Sequence, residues 1–365
     1  MNPLLLSVLA YGFFKQLLNW YRVHHRELPW RQNKDPYRVW LSEVMLQQTR
    51  VAQAIDYFES FTRAFPTVAD LAHASEEAVL KLWQGLGYYS RARNMHATAK
   101  QVTDEFNGVF PQSTEELMKL KGIGPYTARA VSSICFNAPV AVVDGNVYRV
   151  LARYTGGDLP INSTQGIRHF AELAQRFLIQ TDPGAYNQAI MEFGATVCTP
   201  KNTLCAQCPV QTGCVAYATG TVAELPKKLP KKPPKPLWIH YLIPVDPMGN
   251  TLLTQRKGLG IWEGLYTFFA IEQQSAGMDQ TKIEAEVPLI WPGQTGSVSL
   301  LNTEPVVHRL SHRLIRAHFW RVALKNSLPG GYAPSEAEKL PMPVLMAEWF
   351  GAQKNPYFWD SNYTP

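Results

Sequence analysis

Four of the five cysteines in this 365-residue chain crowd into one short stretch: Cys198, Cys205, Cys208 and Cys214, spaced C-x6-C-x2-C-x5-C. Thiolates are soft ligands that suit zinc or iron–sulfur clusters. Structural zinc usually draws on two close ligand pairs. Only Cys205 and Cys208 form such a pair, and the other two stand in wider loops, as a larger cubane allows. Spacing alone leaves zinc and iron–sulfur both open, with all four cysteines as ligands. An odd count in one tight cluster is a poor disulfide framework and points to a reducing compartment. Cys135, alone in an apolar helical stretch, reads as core.

Two carboxylates have settings suited to acid–base work. Glu43 lies in Trp40-Leu-Ser-Glu-Val-Met-Leu-Gln-Gln-Thr49, a helical pattern with apolar flanks. It is either a surface residue between core positions or a carboxyl in a poorly solvated pocket, where it would hold its proton and act as a general acid. Gln47 is expected on the same helical face at i+4, with Gln48 and Thr49 following; amides there can reach base edges. Asp144, in Val142-Val-Asp-Gly-Asn-Val147, precedes a helical stretch, where the ordinary use of an Asp is an N-cap. Between the two, Leu120-Lys-Gly-Ile-Gly-Pro-Tyr-Thr-Ala128 places Gly122 and Gly124 two residues apart. Glycines allow a tight turn whose N–H groups approach a phosphate, and the next helix adds its positive end. A plain turn is the ordinary reading of Gly-x-Gly; the nearby Asp144 gives it context.

The elements that must hold these groups are helical as far as residue 224. Apolar residues recur at three- and four-residue steps from Tyr37 to Phe65, and again around Ala78–Leu86, Ala92–Phe106, Thr114–Leu120, Tyr126–Phe136, Val147–Tyr154, Ile167–Leu178 and Tyr186–Val197. Residues 225–237 hold five prolines and five lysines. The prolines deny the stretch helix and sheet and the charges extend it, so it reads as a semi-rigid connector. Beyond it, Trp238–Val245 alternates, Pro247–Asn250 makes a turn, and Thr251–Gln255 completes a hairpin signal. Ala317–Leu324 reads as a strand and Pro343–Phe350 as a helix. The organisation is therefore an all-α domain over 1–224, a linker over 225–237 and an α+β domain over 238–365.

Composition agrees with this division. The chain is 46% hydrophobic, enough for two cored domains. No run of about 18 uncharged apolar residues appears, which excludes an evident helical membrane span. Met1–Phe14 is apolar but lacks a positive n-region and a small-residue cleavage site, and reads as the buried face of a first helix rather than a signal peptide. The net charge is +6. Its distribution matters more, because His308–Arg321 holds four Arg, three His and no acid. Such a patch fits a polyanion; a solvated basic face accounts equally well for charge alone.

Taken together, the hairpin at Leu120–Ala128, the downstream Asp144 and the four-cysteine loop resemble the endonuclease III superfamily of base-excision glycosylases. Leu28-Pro-Trp-Arg31, Ser42–Thr49, Gly85-Leu-Gly-Tyr-Tyr-Ser-Arg-Ala-Arg-Asn94 and Val143–Val147 look like its adenine-specific MutY branch. The match covers nearly all of 12–224. It implies a helix–hairpin–helix glycosylase domain whose cysteines hold one 4Fe–4S cluster. Where bifunctional relatives carry a nucleophilic lysine this chain has Tyr126, which implies a glycosylase without efficient strand nicking. The C-terminal domain resembles a Nudix fold through Leu259-Gly-Ile-Trp-Glu-Gly-Leu-Tyr-Thr-Phe268, but lacks the glutamate-rich box of the hydrolases. That favours a reading role over catalysis. The family's Phe-Ser-His reader of 8-oxoguanine stands here as Leu310-Ser311-His312, and Gln188 stands where some members carry Glu.

The same resemblance implies the roles. Glu43 would protonate adenine at N7, Asp144 would stabilise or trap the sugar cation, and Tyr126 and Asn146 would position the pair and water. Arg26, Trp30, Arg31, Leu46 and Gln188 would line the adenine pocket. Gln48 and Tyr88 would wedge into the stack, and Gln47, Thr49, Gly122 and Gly124 would contact DNA. The expected partner is duplex DNA with adenine opposite 8-oxoguanine or guanine, met by a monomer in a cytoplasmic, nucleoid-associated setting. Rival readings carry other signatures. A pyrimidine glycosylase-lyase would want Lys in place of Tyr126. A non-enzymatic iron–sulfur DNA binder would not need Glu43 and Asp144 together. A nucleotide pyrophosphatase would need the Nudix box.

Overall fold

The computed structural model describes residues 3–258, 260–275 and 278–352, with side chains from residue 12 onward. Met1, Asn2 and Leu259, each part of a stretch discussed above, lie outside the described residues, as do the side chains of the rest of 1–11. In chain order the helices are α1 (Pro3–His24), α2 (Pro36–Leu46), α3 (Val51–Ala64), α4 (Val68–His73), α5 (Glu76–Leu82), α6 (Ser90–Phe106), α7 (Thr114–Leu117), α8 (Pro125–Phe136), α9 (Gly145–Thr155), α10 (Thr164–Phe177), α11 (Pro183–Thr196), α12 (Val215–Ala218), α13 (Gln280–Ile290), α14 (Pro334–Ala337) and α15 (Val344–Ala352). The strands are β1 (Lys235–Val245), β2 (Thr254–Gln255), β3 (Tyr266–Thr267), β4 (Phe269–Gln273), β5 (Thr295–Leu300), β6 (Val306–Arg309) and β7 (Arg313–Leu324). The chain divides into two compact units, Met1–His73 with Asn94–Lys231, and Ala74–Arg93 with Lys232–Pro365.

The described part of the first unit is helical, as the periodicity predicts. Its starts are written in the sequence: Asp35, Asp144 and Asp182 accept hydrogen bonds from the first-turn N–H groups of α2, α9 and α11, and Pro36, Pro125 and Pro183 open α2, α8 and α11. Phe13, Leu17, Val150, Leu151, Phe170, Tyr186, Ile190 and Phe193 form one core that joins α1, α9, α10 and α11. Each such side chain contributes about 1.5–3 kcal/mol by leaving water. Half-buried Cys198, Cys208 and Cys214 pack against the same core, so the cysteine loop rests on the core to which α9, capped by Asp144, also belongs.

One expectation needs correction here. The single helical run from Tyr37 to Phe65 is two helices. Gln47 leaves helical geometry as the C-cap of α2, and Gln48 takes left-handed backbone with φ 62°. Gln47 is therefore not the next position on the face of Glu43. Its amide donates to Thr127 Oγ1 at 3.3 Å instead, so the chain turns where that bond ties α2 to α8.

The second unit is α+β. Its main sheet runs β4-β1-β7-β5, with β6 also on β7. The long strands β1 and β7 are parallel, from Lys235 beside Arg313 to Val245 beside Ala323. On one face, Leu242, Trp320, Val322 and Leu324 pack on Ile283, Val287 and Trp291 of α13 and its end. On the other, Tyr241 stacks on Phe319 and Phe319 on Trp349 of α15. Segment 74–93 is tied into this unit by Lys81 Nζ donating to Glu338 O at 2.7 Å and Tyr89 Oη donating to Met342 O at 3.2 Å.

Two further expectations are corrected in this region. The connector is not free of sheet: Lys235, Pro236 and Leu237 open β1. Proline is tolerated there because the first residues of a strand can forgo a ladder N–H. The connector's start is not free either, since Ile161 N donates to Lys227 O and Leu229 N to Asn162 Oδ1. The predicted hairpin is reduced to one bridge between Val245 and Thr251. The predicted turn itself forms, closed by Gly249 N donating to Asp246 O at 2.9 Å, but Thr251 also pairs with Tyr332 and Thr254–Gln255 with β3, so other partners take the second arm of the hairpin.

Candidate active site and cysteine loop

Three helix ends bring the predicted catalytic residues together. Glu43 comes from the last turns of α2, Tyr126 from the first turn of α8, and Asp144 and Asn146 from the start of α9. The Tyr126 hydroxyl donates to Glu43 Oε2 at 2.7 Å. Glu43 is 8% exposed. Burial pushes its carboxyl up to about 7; the Tyr126 hydrogen bond opposes this, the Asp144 charge adds to it, and Arg31 opposes it. Burial, with the two carboxylates beside it, also raises the Tyr126 phenol far above its usual range, so it stays a neutral donor.

Asp144 is the N-cap that its bland reading requires, and it also faces this site. Oδ1 accepts from Asn146 N at 2.9 Å and Val147 N at 2.8 Å, and Oδ2 from Asn146 Nδ2 at 2.7 Å. Burial raises its carboxyl, while these three bonds and Arg149 favour the carboxylate. The orientation of Asn146 is fixed from behind, because Arg149 Nη2 donates to Asn146 Oδ1 at 2.8 Å. With its oxygen engaged, the amide nitrogen must face Asp144. Gly194 of α11 allows this approach, since a Cβ there would meet Asn146 Cβ at 2.6 Å. Burial raises both carboxyls, but they differ in setting: Glu43 takes one side-chain hydrogen bond and is lifted to about 7, whereas Asp144 takes three that oppose its rise.

Two of the predicted base-pocket residues, Arg26 and Arg31, meet on a residue that the sequence reading missed. Glu192 of α11 is 1% exposed. Its Oε1 accepts from Arg26 Nε at 2.6 Å and Arg26 N at 3.1 Å; its Oε2 accepts from Arg26 Nη2 and Arg31 Nη2, each at 2.9 Å. Burial pushes Glu192 up, but the two guanidiniums outweigh it and hold the carboxyl at about 2. Gln188, one turn earlier on α11, accepts from Tyr21 Oη at 3.4 Å. Leu46 is half-buried at the end of α2, whereas Trp30 is buried edge-on against Phe58. The available signal was an acid within the apolar run Ala189-Ile-Met-Glu-Phe-Gly194, four residues after Gln188.

The hairpin between α7 and α8 treats its two glycines differently. Gly122 has φ 74°, and a Cβ there would lie 2.5 Å from Asn94 Cβ. Gly124 is the extended N-cap of α8 and has open space around it. Gln48 and Thr49 occupy the turn after α2, Gln48 exposed and Thr49 half-buried.

All four predicted cysteine ligands line one cavity in the first unit, together with Arg153, Thr203 and Tyr217. Among the described residues, no three His, Cys, Asp or Glu side chains stand close enough to hold a single metal ion. The charge setting fits an anionic group. Arg153 is 3% exposed and has no acidic partner among the described residues. Its Nη1 donates to Cys198 Sγ at 3.5 Å, Thr199 O at 2.8 Å and Thr203 Oγ1 at 3.1 Å. A buried cation without a carboxylate is costly unless another anion faces it, and metal-bound thiolates supply one. Arg149 Nε donates to Cys198 O at 2.6 Å, so one side chain touches both the cysteine loop and Asn146.

The remaining predicted residues belong to the second unit. Tyr88 has left-handed backbone at φ 49° and is 47% exposed. Leu310, Ser311 and His312 form the turn between β6 and β7, closed by Leu310 N donating to Arg313 O at 2.9 Å. Tyr88 and this turn line one cavity with Trp262 and His308.

Residues 41–174 match the HhH-GPD superfamily of base excision DNA repair proteins. The adenine DNA glycosylase of Mus musculus is 36% identical over 380 residues, covering 90% of this chain and 74% of its own. Among solved structures, a thermostable thymine-DNA glycosylase aligns at TM-score 0.54 with 25% identity, over 58% of this chain and 98% of its own. Endonuclease III in a non-covalent DNA complex aligns at TM-score 0.51 with 20% identity, over 59% of this chain and 97% of its own, and shows the shared fold. At that identity and coverage, the chain belongs to the adenine DNA glycosylase family within the HhH-GPD superfamily.

Proposed function

We propose that this chain is a monofunctional adenine DNA glycosylase, which hydrolyses the bond between adenine and deoxyribose opposite 8-oxoguanine or guanine and leaves an abasic site. The observation that carries this reading is a pair of carboxyls in different settings: Glu43, lifted to about 7 and bonded to Tyr126, and Asp144, which caps α9 by accepting from Asn146 N and Val147 N. Family membership supplies the base. A stacked base must first be turned out of the duplex, with Tyr88 and Gln48 filling the gap and Gln47, Thr49, Gly122 and Gly124 serving the strand. Arg26, Arg31, Leu46 and Gln188 receive the adenine, with Trp30 supporting the pocket from behind. Glu43 delivers a proton to N7, so adenine departs neutral. The sugar develops oxocarbenium character, and Asp144 stabilises it, held in place by Asn146.

Tyr126 has no amine with which to form an imine at the sugar, so the reaction ends at hydrolysis. A pyrimidine glycosylase-lyase lacks its nucleophile here. Cys198, Cys205, Cys208 and Cys214 would hold one 4Fe–4S cluster, which when bound supplies covalent cross-links that order the loop. The second unit, Nudix-like in its motif, reads the oxidised guanine through Leu310, Ser311 and His312. The two units, with 74–93 counted in the second, act together in a monomer working on chromosomal DNA. Among the described residues no helix is long and apolar enough to cross a membrane.

The test uses purified full-length protein and duplexes carrying adenine opposite 8-oxoguanine, guanine or thymine, with alkali to reveal abasic sites. The expected result is cleavage only after alkali, strongest opposite 8-oxoguanine, from a brown protein absorbing in the violet–blue. No adenine release, or nicking without alkali together with a borohydride-trapped adduct, overturns the reading. Stoichiometric zinc in a colourless, active protein overturns the cluster.

A further inference from the structure

We propose that Glu192 is a positioning residue of the base pocket: it aligns Arg26 and Arg31 and offsets the charge that Arg31 brings to bear on Glu43. This inference rests on the excision activity proposed above. Glu192 meets the two arginines with three side-chain hydrogen bonds of 2.6–2.9 Å and takes a fourth bond from the Arg26 backbone. Arg31 Nη1 in turn donates to Arg26 O at 3.2 Å, and its guanidinium lies 5.8 Å from the Tyr21 ring centroid. The guanidiniums of Arg26 and Arg31 are therefore both set by one buried carboxylate. Bidentate arginine–carboxylate pairs fix direction as well as distance.

The electrostatic half of the inference follows from what surrounds Glu43. The groups that act on it are Tyr126 from α8, Asp144 from the start of α9 and Arg31 from the turn after α1, with Arg149 acting on Asp144. Arg31 favours the ionised form of Glu43. A general acid placed near an unpaired guanidinium would lose its proton early and could not deliver it. Glu192, almost without solvent, offsets that field while leaving the N–H groups free to be aimed. A mere structural tie would need only hydrogen-bond acceptors, which a neutral amide also has.

The experiment measures single-turnover excision on both sides of neutrality, with full-length cluster-loaded protein and adenine opposite 8-oxoguanine. The variants are Glu192→Gln, Glu192→Asp, Arg31→Gln and the double Glu192→Gln with Arg31→Gln. Wild-type excision is expected to fall as pH rises through the Glu43 value of about 7. Glu192→Gln should move the midpoint of that fall down by roughly one pH unit, with a roughly fivefold slower rate at pH 7 that approaches tenfold at higher pH. Glu192→Asp should keep the wild-type midpoint at a lower rate. The double variant should bring the midpoint back up, and Arg31→Gln alone should raise it. That last arm stands even where Glu192→Gln fails to fold. An unmoved midpoint in Glu192→Gln, or a fall in Arg31→Gln, overturns the proposal. Wild-type protein that binds the duplex and releases no adenine overturns the functional reading instead.

Discussion

A carboxyl that must give up a proton near neutrality has to be kept from ionising, and the burial that keeps Glu43 protonated also loads the fold with a cost. In the unfolded chain Glu43 ionises near 4.5; in the fold it ionises near 7. Its stabilising share is therefore fully present below about 4.5 and is lost as pH rises through about 7. Above that, folding must pull a charge out of water. Glu43→Gln keeps the acceptor for Tyr126 and removes the ionisation. Its stability relative to wild type should thus grow with pH, reaching on the order of 3 kcal/mol on the alkaline side. Excision should drop by about 10²–10⁴-fold, while duplex binding persists. Thermal unfolding of both proteins below and above this window checks the first claim, and single-turnover excision checks the second. Equal stability at both pH values would show that Glu43 is not held in a poorly solvated site.

At the scale of elements, what was legible in the sequence was what depends on neighbours along the chain. The aspartates before α2, α9 and α11 and the prolines that open α2, α8 and α11 sit where local hydrogen bonds alone predict them. Positions set by partners far along the chain were not legible. Gln47 was assigned to the face of Glu43, yet it caps α2 because Thr127, eighty residues on, takes its amide. Glu192 was missed because its reason to exist, Arg26 and Arg31, lies more than a hundred and sixty residues earlier. The two hairpin glycines, treated alike in the sequence, separate on the same principle. Gly122→Ala must place a side chain at positive φ and against Asn94, and should cost about 1–3 kcal/mol while weakening duplex binding. Gly124→Ala meets open space at an N-cap and should cost less than about 1 kcal/mol. Chemical denaturation and duplex titration of the two variants separate these outcomes; equal losses would mean that the left-handed turn is not what Gly122 supplies.

At the scale of the whole molecule, the proposed function would divide chemistry and lesion reading between the two units. Glu43, Tyr126, Asp144 and the cysteine loop belong to the first, while Tyr88 and the turn Leu310–His312 belong to the second. Segment 74–93 lies in sequence among the helices of the first unit but packs with 232–365, which no periodicity in the sequence announces. The β6–β7 turn presents Ser311 and His312 exposed, with Ser311 Oγ 3.4 Å from His312 Nδ1. Both can donate or accept, so they can distinguish the added C8 carbonyl and N7 proton of an oxidised guanine from guanine itself. The arginines around them cannot, because phosphates look alike in every sequence. Replacing Ser311 and His312 together by Ala should reduce preference for the lesion by roughly 1–3 kcal/mol, the scale of one specific base contact. Arg309→Ala or Arg313→Ala should weaken all duplexes about equally and soften the salt dependence. Arg316 is a poorer choice for that comparison, since its guanidinium lies over the Trp238 ring at 5.4 Å. Leu310→Phe should sharpen discrimination, by giving the turn a flat aromatic wall. The measurement is the ratio of binding and excision rates for adenine opposite 8-oxoguanine and opposite guanine. If that ratio is unchanged in the double alanine variant, lesion reading resides outside this turn, and the basic strand beside it serves only to hold DNA.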